Sequence, residues 1–212
     1  MNREPFQNGE YYHIYNRGTD KRKIFNDFRD VDRFLKSMRL FNSVEPIGSV
    51  WLQDLIQEKN TRKKLVAITA YCLNPNHYHL ILQQRIENGI TEFMKRLNGG
   101  YTWYFNFKTK RTGALFQGRF KSKHIFDDDY LLRVSAYVNL NDHVHQLSGS
   151  TAQLVRSSWN EYTSGTSGLC EKKIIFSQFR KWQEYEKFAL EALPQILQRK
   201  EDEKELKSLM LE

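Results

Sequence analysis

Two histidines one residue apart, His77 and His79, carry the first chemistry of this chain, in the run Ala70-Tyr71-Cys72-Leu73-Asn74-Pro75-Asn76-His77-Tyr78-His79-Leu80-Ile81-Leu82. The flanking residues are of strand type, and in a strand side chains two apart share a face. The two imidazoles would then stand side by side, at a spacing that suits one metal ion, while Tyr78 points the other way, toward a core. A bare His-x-His is more often one surface residue and one packed residue, so the pair needs partners. Tyr137 and Asn141 offer them: four residues apart in a predicted helix, they lie one turn apart on one face. Two neutral imidazoles and an amide oxygen would leave positions on a hard divalent ion open for phosphate oxygens and water. A phenol, with a free pKa of about 10, needs such a polarised phosphate, or help in losing its proton, to attack. Spacing alone leaves other assignments open. Tyr137 is one of eleven tyrosines, Tyr130 sits seven residues earlier on nearly the same helical face, and His143-Val144-His145 is a second His-x-His in a predicted loop. His13 and Asn16 could approach from a neighbouring strand or simply pack.

Charge points to the substrate class. The chain has 212 residues and a formal net charge of +8, unevenly placed. Between Phe93 and Phe126 there is no Asp or Glu but there are eight cations, Lys95, Arg96, Lys108, Lys110, Arg111, Arg119, Lys121 and Lys123, which leaves the rest formally neutral. Nine aromatic residues share that stretch. Cations neutralise phosphates and rings stack bases, so the composition fits single-stranded nucleic acid. A core of rings under a solvated cationic face is the competing reading, and at least half the rings are expected to be core. The two cysteines, Cys72 and Cys170, form neither a disulfide framework nor a Cys-rich zinc site. No apolar run approaches a membrane span, and the polar start Met1-Asn2-Arg3-Glu4 shows no signal-peptide pattern. A soluble cytoplasmic protein without a membrane partner is expected.

The elements that must position these residues follow from pattern. Tyr11 to Asn16 reads as a strand, and Asp27 or Asp30 starts a helix through Val31, Phe34, Leu35, Met38 and Phe41. Lys64 to Tyr71 and His77 to Gln83 read as antiparallel strands joined by Asn74-Pro75-Asn76. Ile90 to about Phe107 is a predicted helix, with Gly99-Gly100 a possible bend, and Phe116 to Phe126 a predicted strand with Gly118 at a bulge or close approach. Asp127-Asp128-Asp129 is suited to cap a helix from Tyr130 to about Asn141. Loops are expected at Ser148–Thr151 and Thr163–Gly168, then a charged helical tail from Ile174 that ends with Leu206, Leu209 and Leu211. This order predicts an α+β fold of ferredoxin-like, split βαβ type: an antiparallel sheet with helices packed on one face, the other face open, and a mostly helical C-terminal extension. The predicted boundary falls between a domain of residues 1–147 and a loop-rich and helical segment of 148–212.

Several blocks in this order resemble the REP-associated tyrosine transposases and related single-tyrosine transposases of the HUH nuclease class. They are Tyr12-His13-Ile14-Tyr15-Asn16-Arg17-Gly18, the Tyr71–Leu80 block with its two histidines, Tyr101–Asn106 followed by Gly113–Ser122, Tyr130–Asn141, and Ser157-Ser158-Trp159 through Tyr162. The resemblance implies a metal-dependent endonuclease and strand transferase of single-stranded or hairpin DNA, acting in DNA transposition and recombination. It implies His77 and His79 as metal ligands with Asn141 as a third, polar one, Mg²⁺ or Mn²⁺ as cofactor, and Tyr137 as the nucleophile that forms a 5′-phosphotyrosine link. Arg17 and the eight cations of the acid-free stretch are the expected DNA contacts, and a homodimer is one expected assembly. The family usually has Pro directly after the Asn; here it is Asp142, which could compete as a ligand or repel phosphate. Two other readings stay in view: a catalytically inactive, transposase-derived DNA- or RNA-binding protein, and an RNA-binding domain of other descent.

Overall fold

The computed structural model describes residues 4–45, 63–144 and 152–209, with side chains as far as residue 202. His145, the Ser148–Thr151 loop, the 147/148 boundary, Met1–Arg3, Leu211 and the side chains of Leu206 and Leu209 lie outside the described residues.

Strand β1 (Tyr11–Arg17) alternates as its sequence does: Tyr12, Ile14 and Asn16 are buried, and Tyr11, His13 and Tyr15 lie partly exposed on the other face. Strands β2 (Val66–Asn74) and β3 (His77–Gln84) form a hairpin through Pro75-Asn76. The turn is tied down, because Pro75 O accepts the Ile24 and Phe25 amides and Asn76 O accepts that of Gly18. With β4 (Lys121–Ile125) and the two-residue β5 (Arg156–Ser157), the sheet has the order β4-β1-β3-β2-β5, every pair antiparallel.

Helices α1 (Phe28–Leu40) and α2 (Gly89–Thr109) cover one face over a core that includes Ile14, Phe34, Leu80, Phe93 and Tyr101. The Asp27 side chain caps α1 by accepting the Asp30 amide. Helix α2 runs through Gly99-Gly100 without interruption. A Cβ on Gly100 would sit 2.8 Å from the Phe41 ring, so this glycine allows a close approach. Tyr78 is fully buried in this core and donates to Asn98 Oδ1 at 2.9 Å, as alternation predicts.

The opposite face departs from the expected open sheet. Helix α3 (Asp128–Asn139), capped by Asp127 as predicted, lies over β2 and β3, followed by the short α4 (Asn141–Val144). Helices α5 (Trp159–Thr163), α6 (Lys173–Phe176) and α7 (Glu184–Leu209) complete a second core of Ala70, Cys72, Ile81, Leu131, Tyr162, Ile175 and Tyr185. The physical reason is in the strands: Ala70, Cys72 and Ile81 give this face an apolar half that must be covered. Two boundaries also move. The strand expected over Phe116–Phe126 begins only at Lys121, Phe116 makes an isolated bridge to Gly18, and Gly118 takes the left-handed φ of 70°. The tyrosine helix ends at Asn139, with Leu140 between it and α4.

Tyr185 anchors this second layer. Its hydroxyl accepts from Asn139 Nδ2 at 2.8 Å and lies 3.0 Å from Ser135 Oγ, all buried. Tyr185→Phe should leave a buried amide donor unpaired and lower unfolding stability by about 1–3 kcal/mol, measured by chemical denaturation of the full chain.

Candidate active site

The register of β3 between its neighbours brings the chemistry together. His79 lies opposite Tyr15 on β1 and Cys72 on β2, and His77 lies opposite Arg17 and Asn74. The His77 and His79 rings stand with centroids 5.2 Å apart, close enough for one ion to reach both. Helix α3 lays Tyr137 over them, its ring 5.5 Å from His79 and 5.9 Å from His13. Asn141, one turn on, reaches His77: its Oδ1 is 3.4 Å from His77 Nε2. Thus both histidines, the tyrosine and the asparagine singled out by spacing meet at one place, within one chain.

A hydrogen bond sets which nitrogen the His77 imidazole presents. His77 Nδ1 lies 2.6 Å from Asn76 Oδ1, an acceptor only, so Nδ1 carries the proton and Nε2 keeps its lone pair. Asn74 Nδ2 then donates to two acceptors, His77 Nε2 at 2.9 Å and Asn141 Oδ1 at 2.7 Å. The opposite amide orientation would set two donors against each other, so the Asn141 oxygen faces His77. The Asn141 Nδ2, buried, has no hydrogen-bond partner among the described residues. An amide N–H thus sits where the lone pairs of His77 and Asn141 converge, a point that would also receive a cation. On the other side His79 Nδ1 pairs with His13 Nε2 at 2.8 Å, with the rings stacked. Each histidine therefore has its Nδ1 held by a neighbour, the arrangement by which outer residues orient metal-binding imidazoles. Among the described residues no group of three or more His, Cys, Asp or Glu is gathered to hold a metal. Two imidazoles and an amide oxygen are the donor set available, and it suits a hard divalent ion that keeps open positions.

Around this set opens a cleft of about 610 Å³ lined by Tyr15, Asn16, Arg17, Lys21, Asn76, His77, Tyr78, His79, Gln117, Lys121 and Tyr137. Three cations and no carboxylate line it. The cleft is therefore electropositive.

The predicted cations divide into three groups. Arg17 and Lys121 line the cleft, Lys123 stands opposite His13 on the same sheet face, and Arg119 is exposed just before β4. Arg17 Nε donates to Gln117 Oε1 at 2.5 Å. Lys95 and Lys110 are exposed on and after α2, on the far side of the sheet. The remaining three are held internally. Lys108 binds Asp30 at 2.5 Å and Asp27 at 2.9 Å, Arg96 binds Glu92 and the Ser43 carbonyl, each at 2.7 Å, and Arg111 braces Asn106 and the Ala114 carbonyl. Asp142 is not among the cleft-lining residues. Its carboxylate meets His143 Nδ1 at 2.9 Å. Tyr130 stacks on Phe126 instead of facing the histidines.

Comparison with known proteins bears on this arrangement. Residues 7–141 match the family described as "Transposase IS200 like". The chain belongs to the IS200-like transposases. The matched span takes in the whole constellation, from His13 to Asn141. The transposase also shares its fold with a solved structure described as a REP-associated tyrosine transposase bound to a REP hairpin, at 12% identity and a TM-score of 0.50, covering 80% of this chain and 88% of that one. No curated protein sequence matches. As a transposase it acts on DNA, and among the described residues no helix is long and apolar enough to cross a membrane.

Three residues of the site, Asn76 and Lys21 in the cleft wall and Asn74 buried behind it, carry no mark in the sequence strong enough to select them. Asn74 and Asn76 look like turn chemistry, and Lys21 lies outside the acid-free stretch. His13 was legible only as a residue that could either approach or pack; it does both. Burial, and then the charge of Lys123, lower its pKa from 6.5 to about 4. The unfolded chain takes up a proton below pH 6.5 that folded His13 refuses until about pH 4, so its contribution to stability is complete above pH 6.5 and is lost as pH falls toward 4. In metal-free protein, His13→Gln should flatten the decline of the urea midpoint between pH 7 and pH 4.5. An unchanged slope would exclude His13 as the group responsible.

Proposed function

We propose that this transposase is a metal-dependent endonuclease and strand transferase of single-stranded DNA, of the HUH class, with Tyr137 as nucleophile. The observation that carries the reading is the convergence of Tyr137, His77 and His79 at one electropositive cleft, with Asn141 buried against His77. His77, His79 and Asn141 would hold a Mg²⁺ or Mn²⁺ ion, which when bound polarises the scissile phosphate and stabilises charge on its oxygens. Arg17, Lys21 and Lys121 neutralise and orient the phosphates on either side, and Lys123 and Arg119 extend that track along β4. The Tyr137 oxygen attacks phosphorus as its proton is lost, and the bond from phosphorus to the 3′ oxygen breaks. The products are a 5′-phosphotyrosine and a free 3′-hydroxyl, and the reverse attack by a 3′-hydroxyl rejoins strands without an external energy source. Asn76 keeps His77 in the tautomer required, and His13 holds the His79 ring in its orientation. The shared fold with a protein solved on a REP hairpin supports hairpin-bearing DNA as substrate. All four residues lie in one chain, which supports a site assembled in cis.

Incubation with hairpin-bearing single-stranded oligonucleotides and Mg²⁺ or Mn²⁺ should give an adduct that survives denaturation. Tyr137→Phe should abolish it, and EDTA or the double change His77→Ala and His79→Ala should reduce it at least a hundredfold. An adduct that persists in Tyr137→Phe would sink the assignment of the nucleophile. Salt-sensitive binding without any adduct in the unaltered protein would favour the inactive DNA-binding reading.

A further inference from the structure

Two large rings on the outer face of α2 stand in water. Trp103 is 60% exposed and Phe107 75%, and neither belongs to a core cluster. They are one turn apart on α2 and already stacked, with centroids 5.5 Å apart and planes within 10°. A water-facing stack of this size gives up apolar burial that a polar pair would not need. One turn earlier stands Gly99, where a Cβ would meet nothing within 4 Å. Unlike Gly100 it has no packing reason, yet it costs about 1 kcal/mol relative to Ala in a helix interior. Its absent side chain leaves the approach to Trp103 clear.

The charges around the stack select its partner. It lies inside the stretch from Phe93 to Phe126 that has no acid, with exposed Lys95 before it and Lys110 at the helix end. Among the described residues, the acids paired at this helix are Glu92 with Arg96, and Asp27 and Asp30 with Lys108. The other exposed ring pair offers a contrast. Phe126 and Tyr130 stack at 5.4 Å but are separated by Asp127, Asp128 and Asp129, which repel phosphate. The loop that leaves α2 also leads to the cleft. Phe116 bridges Gly18, Gly118 O accepts from Asn16 Nδ2, and Gln117 accepts from Arg17.

We infer that Trp103 and Phe107 form a stacking platform for unpaired bases of the bound DNA, on the sheet face opposite Tyr137 and so away from the cut. The inference rests on the reading that the protein binds single-stranded DNA. Lys95 and Lys110 hold the phosphates on either side of the stacked base, and the rings accept any base because every base has a π-face. A hairpin loop and a single-stranded flank offer the same chemistry, and the test separates them.

The test is fluorescence anisotropy of the full chain with a labelled hairpin that carries an unpaired loop and a single-stranded flank. The same hairpin is then made with abasic loop positions, and again with abasic flank positions. The double variant Trp103→Ala, Phe107→Ala should raise Kd about tenfold on the intact hairpin. On whichever abasic hairpin removes the stacked base, variant and unaltered protein should bind alike. Trp103→Phe, which keeps a ring, should retain most of the affinity. Equal Kd values for the double variant and the unaltered protein on the intact hairpin would overturn the inference. So would a change in self-association, read by mass photometry, with Kd unchanged, because the face would then join copies of the chain. Adduct formation at Tyr137 on a short linear oligonucleotide, measured alongside, keeps the two readings apart: loss of binding without any adduct supports the platform and defeats the chemistry, and an adduct with unchanged Kd does the reverse.

Discussion

The antiparallel register of β3 between β1 and β2 is the constraint on which the rest depends. Because side chains alternate with a period of two, that register sets His77 and His79 on one face beside His13, Tyr15 and Asn74, and drives Tyr78, Leu80 and Leu82 into the core on the other. A slip of one residue would turn both imidazoles into the core beneath α1 and α2 and turn Tyr78, Leu80 and Leu82 toward the cleft face. The register is strongly specified for that reason. The Pro75-Asn76 turn adds to it, since its carbonyls are anchored to the chain after β1.

Tyr137 reaches the histidines only because α3 is held against the sheet from two sides. From below, the apolar residues Ala70, Cys72 and Ile81 pack under it. From the side runs a buried polar chain: Ser158 Oγ accepts the Tyr71 amide on β2 at 3.0 Å and donates to Asn139 Oδ1 on α3 at 2.5 Å, and Asn139 in turn donates to Tyr185 on α7. Buried polar groups joined in this way are costly to break and therefore position well. This accounts physically for the block from Ser157 to Tyr162, which in the sequence is only a motif. It also shows what the C-terminal segment does for the site: it closes the second layer over the helix that carries the tyrosine.

Charge in the sequence and charge at the site proved to be different quantities. An acid-free stretch marks a basic region, but it does not say which cations are spent on structure. Lys108, Arg96 and Arg111 turn inward to satisfy acids, carbonyls and amides brought near by folding. Lys21, outside the stretch, joins the cleft because the segment after β1 folds back beside the β2–β3 turn.

The amino-acid sequence by itself determined which residues could act and on which face of their own element each stands. His77 and His79 share a strand face, Tyr78 opposes the histidines, and Asp127 caps α3, since all of these depend on local periodicity and backbone chemistry; Tyr137 and Asn141, four residues apart, fall at the end of α3 and the start of α4. Only the tertiary structure decided which residues meet. That Asn74 bridges to Asn141, that His13 holds His79, and that helices cover both sheet faces are consequences of contacts between segments far apart in the chain. Such contacts are set by the packing of whole layers and by the pairing of buried polar groups, and no window of local sequence contains them.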